Sequence, residues 1–154
     1  MASAWRIVRG ARVATAFTGE GSRFSPGRWN SSGKAVIYLS EHESLAALEI
    51  LVHTRPLSPT ERYLSFRVEW PDDLTEYFPR KKLTPDWDAR PPTIASRAIG
   101  DQWLDESRSL ALAVPSLHST SELNFLLNPN HRDFKKIKIA RPVEFRFDPR
   151  LHRR

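Results

Sequence analysis

The stretch Val36-Ile37-Tyr38-Leu39-Ser40-Glu41-His42-Glu43-Ser44-Leu45-Ala46-Ala47-Leu48-Glu49-Ile50-Leu51-Val52 changes character halfway. Its first part is β-branched and aromatic, and residues 34–39 read as a strand. Its second part is rich in Ala and Leu and reads as a helix over residues 41–54, ending before Pro56. Between them Ser40 is placed as the N-cap, with Glu43 three residues on completing a capping box.

Outward from this junction, residues 5–8 read as a short strand. Residues 18–33, rich in Gly, Ser and Arg, read as a loop. Downstream, 62–70 alternates as a strand and 84–92 reads as a loop. Residues 93–105 read as a helix with Ile94, Ala98 and Trp103 turned inward. Residues 110–114 form an apolar strand stopped by Pro115, and 121–127 read as a short helix or turn. Residues 137–139 and 143–147 read as closing strands. Strands outnumber helices and no βαβ alternation is seen, so the class is α+β, in one domain over residues 1–154.

The composition agrees. With 154 residues, 40% hydrophobic and 27% charged, the chain can bury a core of its own. It has no cysteine, which excludes disulfides, a thiol nucleophile and cysteine-based zinc sites. The opening Met1-Ala-Ser-Ala-Trp-Arg-Ile lacks a secretory apolar core, and no apolar run spans a bilayer, so a cytoplasmic protein without membrane contact is expected. The net charge of +6 fits a nucleic acid, an anionic small ligand or an acidic protein partner. Much of the basic charge lies near the C-terminus, from Lys135, Lys136, Lys138 and Arg141 to Arg146, Arg150, Arg153 and Arg154.

Several motifs fail. Gly19-Glu20-Gly21-Ser22-Arg23-Phe24 lacks the third glycine of a dinucleotide fingerprint, and no phosphate-cradling Gly-Lys-Ser/Thr loop exists. No Gly-x-Ser-x-Gly elbow is present. The five histidines show no convincing metal spacing; Glu49 and His53 stand one helical turn apart, a pairing more often a surface contact than a ligand set, and no metal site is expected. A basic nucleic-acid-binding module is a further reading, but no helix-turn-helix, aromatic RNA-binding strand or zinc finger supports it.

Three short segments carry chemistry. In Phe24-Ser25-Pro26-Gly27-Arg28-Trp29-Asn30, an arginine fork suited to phosphate follows a glycine that lets backbone approach closely; an ordinary turn is the alternative. Glu49 is the acid in the most apolar helix, where it either faces water or is held near the core for a purpose; His42, Ala46, Glu49 and His53 share its face. Tyr38 is a core tyrosine or a wall for a flat ring. In Val114-Pro115-Ser116 the serine follows a strand end, where it serves a ligand or caps its own turn.

Together these segments resemble the RES domain, a family named for its Arg, Glu and Ser. The resemblance runs from Trp5-Arg6-Ile7 through Gly19–Arg23, Gly27-Arg28-Trp29-Asn30-Ser31, Val36–Ser40 and Ala47-Leu48-Glu49. It continues through Ala98-Ile99-Gly100-Asp101, Trp103-Leu104, Val114-Pro115-Ser116 and Asn124-Phe125-Leu126-Leu127-Asn128-Pro129 to Phe147-Asp148-Pro149-Arg150. The naming positions match Arg28, Glu49 and Ser116.

The resemblance implies a mixed-sheet fold with flanking helices, like that of ADP-ribosyltransferase toxins. It implies a toxin of a type II toxin–antitoxin pair that breaks NAD at the nicotinamide–ribose bond, by phosphorolysis or hydrolysis, and so arrests growth. NAD is then substrate rather than cofactor, and inorganic phosphate is a candidate co-substrate. Some members instead transfer ADP-ribose to a protein. The implied catalytic residues are Arg28, Glu49 and Ser116, with Arg6, Gly27 and Tyr38 joining them in binding NAD. The implied partner is an antitoxin with an Xre-like helix-turn-helix domain, which covers the active site and alone contacts DNA.

Overall fold

A computed structural model describes residues 1–54 and 57–152. The segment quoted first becomes strand β2 (Ile37–Ser40) and helix α2 (Glu43–His53). The expected capping box does not form. Ser40 is the last residue of β2, paired with Trp5 on one side and Asn124 on the other, so the sheet claims it. His42 takes the N-cap position without a side-chain cap. Pro56, expected to end the helix, lies outside the described residues, as do Arg153 and Arg154 of the basic C-terminal run.

The other strands are β1 (Ala2–Arg9), β3 (Tyr63–Trp70), β4 (Thr75–Tyr77), β5 (Ala111–Pro115), β6 (Leu123–Leu127), β7 (Lys138–Ile139) and β8 (Val143–Phe145). They form one eight-stranded sheet in the order β4-β5-β6-β2-β1-β3-β7, with β8 also on β3. All neighbours are antiparallel except β4 and β5, so the sheet is mixed and the class α+β, as expected. Strand β6 corrects the helix or turn expected at 121–127. Backbone pairing to β5 on one side and β2 on the other outweighs the weak local preference. The short edge strand β4 had no sequence signal.

Strand β5 is buried along its whole length because both faces of the sheet are covered there. Ala111 and Ala113 face a core shared with Ile37, Leu39, Trp70 and Phe125, while Leu112 and Val114 face Trp29, Trp103 and Leu126. Helix α3 (Ile94–Glu106) covers the second face. Its N-cap is Thr93, whose hydroxyl accepts from the Ser96 amide. The inward residues are Ser96, Gly100 and Trp103, not Ile94, which is 86% exposed, nor Ala98. Ile94 is the first residue of the helix. Small residues line the buried face because the helix approaches a backbone: a Cβ on Gly100 would stand 1.7 Å from the Trp29 carbonyl oxygen.

The segment expected as loop at 18–33 contains a short helix α1 (Glu20–Phe24), and Gly27 and Asn30 form an isolated bridge that closes the turn bearing Arg28. No helix among the described residues is long and apolar enough to cross a membrane.

Candidate active site

Strands β1 and β2 share only the Trp5–Ser40 pair. β1 runs on with β3 through eight pairs, whereas β2 runs on with β6, so the sheet parts between β1 and β2. A cavity of about 500 Å³ opens at this parting, within the range of small-molecule sites. Arg6 bridges the split. Its Nε donates to the Ala16 carbonyl at 2.8 Å and its Nη1 to the Tyr38 carbonyl at 3.0 Å. Burial pushes its pKa down to about 10, so it stays charged at neutral pH.

Arg28 lines the cavity, and its Nη1 donates to the carbonyls of Trp87 and Ala89, both at 2.8 Å. The residue 84–92 loop is thereby held over the site, aided by stacking of Trp87 on Trp29 at 6.0 Å. Burial and the neighbouring Arg90 hold the Arg28 pKa below its ordinary value. Arg90 lines the same cavity, so three arginines contribute to its wall. Tyr38 forms part of the wall. Its hydroxyl donates to Asn30 Oδ1 at 2.5 Å and accepts from the Trp29 amide. Burial pushes its pKa up, so it remains a neutral phenol. Gly27 is not itself in the wall; a Cβ there would meet the Tyr38 hydroxyl at 2.6 Å. Its role is to let the tyrosine close on the loop.

Glu49 reaches the cavity from α2. Its Oε1 accepts from Asn124 Nδ2 at 3.0 Å, and its Oε2 lies 3.7 Å from His53 Nε2 and 3.6 Å from His118 Nε2. Burial opposes its ionisation, but the neighbouring His53, the bond from Asn124 and the nearby His118 outweigh it, and the pKa falls below the ordinary value. The neighbouring Glu49 carboxylate raises that of His53. The face of α2 that carries Ala46, Glu49 and His53 therefore turns toward the cavity.

Ser116 is drawn near but not into the site. It is buried, it does not line the cavity, and its Oγ accepts from the amides of His118 and Ser119 at 3.1 and 3.2 Å. This is the turn-capping alternative weighed above, and it places His118 against Glu49.

His118, Asn124, Arg90 and Trp5, all in the cavity wall, were given no site role from the sequence, although Trp5 and Asn124 lie in segments that carry the resemblance. For Asn124 the missed signal was the strand: once β6 is recognised, its partner is Ser40 beside the Glu49 helix. The Asn124 Oδ1 is buried with no hydrogen-bond partner among the described residues.

With this geometry in place, the RES domain family model matches residues 3–148. The chain is 37% identical over 148 residues to "Toxin Res" of Yersinia enterocolitica serotype O:8, covering 96% of this chain and 97% of that protein. It is 37% identical over 158 residues to "Prs ADP-ribosylating toxin" of Sphingobium sp. strain YBL2, covering 99% and 98%. A chain of the M. tuberculosis MbcT–MbcA toxin–antitoxin complex has the same fold, with a TM-score of 0.73, 18% identity, and coverage of 93% and 83%.

Proposed function

Since the chain belongs to the RES domain family, we propose that it is a toxin that cleaves NAD at the nicotinamide–ribose bond in the cavity between β1 and β2. The observation that carries this reading is an ionised carboxylate set among arginines in one cavity of small-molecule size. Glu49, its pKa held down, lines that cavity together with Arg6, Arg28 and Arg90, which puts a carboxylate for the ribose and cations for the pyrophosphate of a dinucleotide in one wall.

Loss of nicotinamide breaks the C–N bond and leaves both its electrons on the nicotinamide nitrogen. Positive charge builds on the ribose, as in glycoside cleavage. Glu49 stabilises that charge, and Arg6, Arg28 and Arg90 offer donors to the pyrophosphate. Trp5 and Tyr38 supply flat apolar walls for a ring. Phosphate attacking the same carbon gives a ribosyl phosphate; water gives ADP-ribose. Ser116 acts as a positioning residue for His118 rather than on the substrate. Mass spectrometry of products after incubation with NAD, with and without phosphate, tests this: free nicotinamide with ADP-ribose or its 1-phosphate is expected, and unchanged NAD refutes it.

A second reading, transfer of ADP-ribose to a protein, is favoured by the 37% identity to the ADP-ribosylating toxin. Label from NAD that appears on a protein band, rather than in solution, selects it. The likeness to a toxin–antitoxin complex supports an antitoxin partner, for which an Xre-like protein seated over the cavity is the reading kept here. An antitoxin that leaves NAD turnover unchanged at saturation would contradict that placement.

A further inference from the structure

We propose that Glu49, His53 and His118 form a binding site for a zinc-class divalent cation at the mouth of the cavity. The side chains offer two imidazole nitrogens and one carboxylate oxygen, and these atoms all lie within 4.8 Å of one another. Donors bound to a tetrahedral zinc at about 2.0–2.1 Å stand roughly 3.3–3.4 Å apart. The Glu49 Oε2 to His53 Nε2 and His118 Nε2 distances, 3.7 and 3.6 Å, are within a few tenths of that spacing. The histidine pair needs only to draw together, and His53, 73% exposed and on the last turn of α2, is free to swing.

The surroundings suit a metal as well as the donors do. Asn124 Nδ2 occupies Glu49 Oε1, so the other oxygen is the one turned to both histidines. The two rings meet edge to face at 6.1 Å and 75°, not stacked against each other. Ser116 pins the turn that carries His118 by accepting two backbone amides. Such outer bonds hold ligands in place. Three protein ligands leave a fourth position open toward the cavity, where water completes the shell. Imidazole and carboxylate donors together favour zinc over magnesium or calcium.

A cation here engages the carboxylate oxygen that the proposed NAD chemistry uses and cancels its charge, so zinc silences the enzyme. That consequence rests on the proposed function; the site itself does not.

The test is titration of metal-free protein with Zn²⁺ by calorimetry and by competition with a chromophoric chelator. The panel is wild type, His53→Gln, His118→Gln, the double variant and His42→Gln. His42 pairs with Glu122 outside the cluster and serves as the control. One equivalent of zinc is expected in wild type and His42→Gln, with affinity about tenfold or more lower in each cluster single variant and no stoichiometric binding in the double variant. X-ray absorption of the wild-type complex should show N and O ligands at about 2.0–2.1 Å. Thermal melts in chelator verify that each variant is folded, and His53→Gln, at an exposed position, provides a folded variant in any case. Absence of saturable binding by wild type, or unchanged affinity in the double variant, overturns the site. NAD turnover is followed in parallel. Zinc that binds in the cluster yet leaves turnover intact upholds the site and contradicts instead the placement of Glu49 in the reaction.

Discussion

Replacing Gly100 with alanine perturbs the site from behind. The added Cβ would lie 1.7 Å from the Trp29 carbonyl oxygen, 2.8 Å from its carbonyl carbon and 3.2 Å from its Cβ. The first distance falls about 1.3 Å short of the closest tolerable approach, and both partners are backbone, so no side chain can rotate away. Either α3 lifts from the sheet or the Trp29 peptide moves. Overpacking of this kind costs about 2–3 kcal/mol, or roughly 5–10 °C in melting temperature for a domain of this size. Trp29 is bonded in sequence to Arg28, which clamps the 84–92 loop over the cavity. A shift near 1 Å there lowers turnover by about a hundredfold. Gly21→Ala is the matched control, because nothing lies within 4 Å of its Cβ and it sits inside α1. Melts by circular dichroism and a nicotinamide-release assay read the two effects. A Gly100→Ala protein that melts within 2 °C of wild type, a margin of about 0.5 kcal/mol, and turns over NAD normally would refute the reasoning.

Three further outcomes are expected. Arg28→Ala should raise KM for NAD by about ten- to a hundredfold, the worth of charged hydrogen bonds, and Arg28→Lys should restore it only in part, since an ammonium lacks the planar fork that pairs with a phosphate; full activity of Arg28→Lys would contradict this. Glu49, with its pKa held down, contributes stability that is present above its ordinary value of 4.5 and lost as pH falls through the lower folded value; His53, with its pKa raised, contributes stability that is full below 6.5 and lost as pH rises through the higher one. Urea unfolding across pH should therefore show the advantage of wild type over Glu49→Gln shrinking at both ends, and a difference flat in pH would count against the pair. Ser116→Ala should cost about 1–2 kcal/mol through the lost turn bonds and lower kcat less than Glu49→Gln does; complete loss of turnover in a protein of unchanged stability would return the serine to direct contact with substrate.

Much of the fold was legible because its signals are local. The β-branched run at Ile37 and the alternation before Trp70 announce strands, and the helix expected at 93–105 forms over Ile94–Glu106. What escaped was decided by partners distant in sequence. Ser40 has the chemistry of a cap but is taken by sheet pairing with Trp5 and Asn124. Leu123–Leu127 has mixed preferences, and its two neighbouring strands settle them. The same holds for the site. Arg28 and Glu49 stood out by residue type and setting, and both line the cavity. His118 and Asn124 did not, because nothing near them in sequence shows that Glu49 lies across from them. Ser116 was singled out for its place after a strand, and its oxygen accepts two amides of its own turn.

In the proposed reaction the Glu49 carboxylate stabilises charge developing on the ribose of NAD. The direct measurement is the rate of nicotinamide release by Glu49→Gln beside wild type. Glutamine keeps the shape of the side chain and an oxygen for the Asn124 amide to donate to, while removing the charge. The rate should fall at least about a hundredfold, as for loss of a preorganised electrostatic group, in a protein that remains folded by circular dichroism. Release at a near wild-type rate would contradict it.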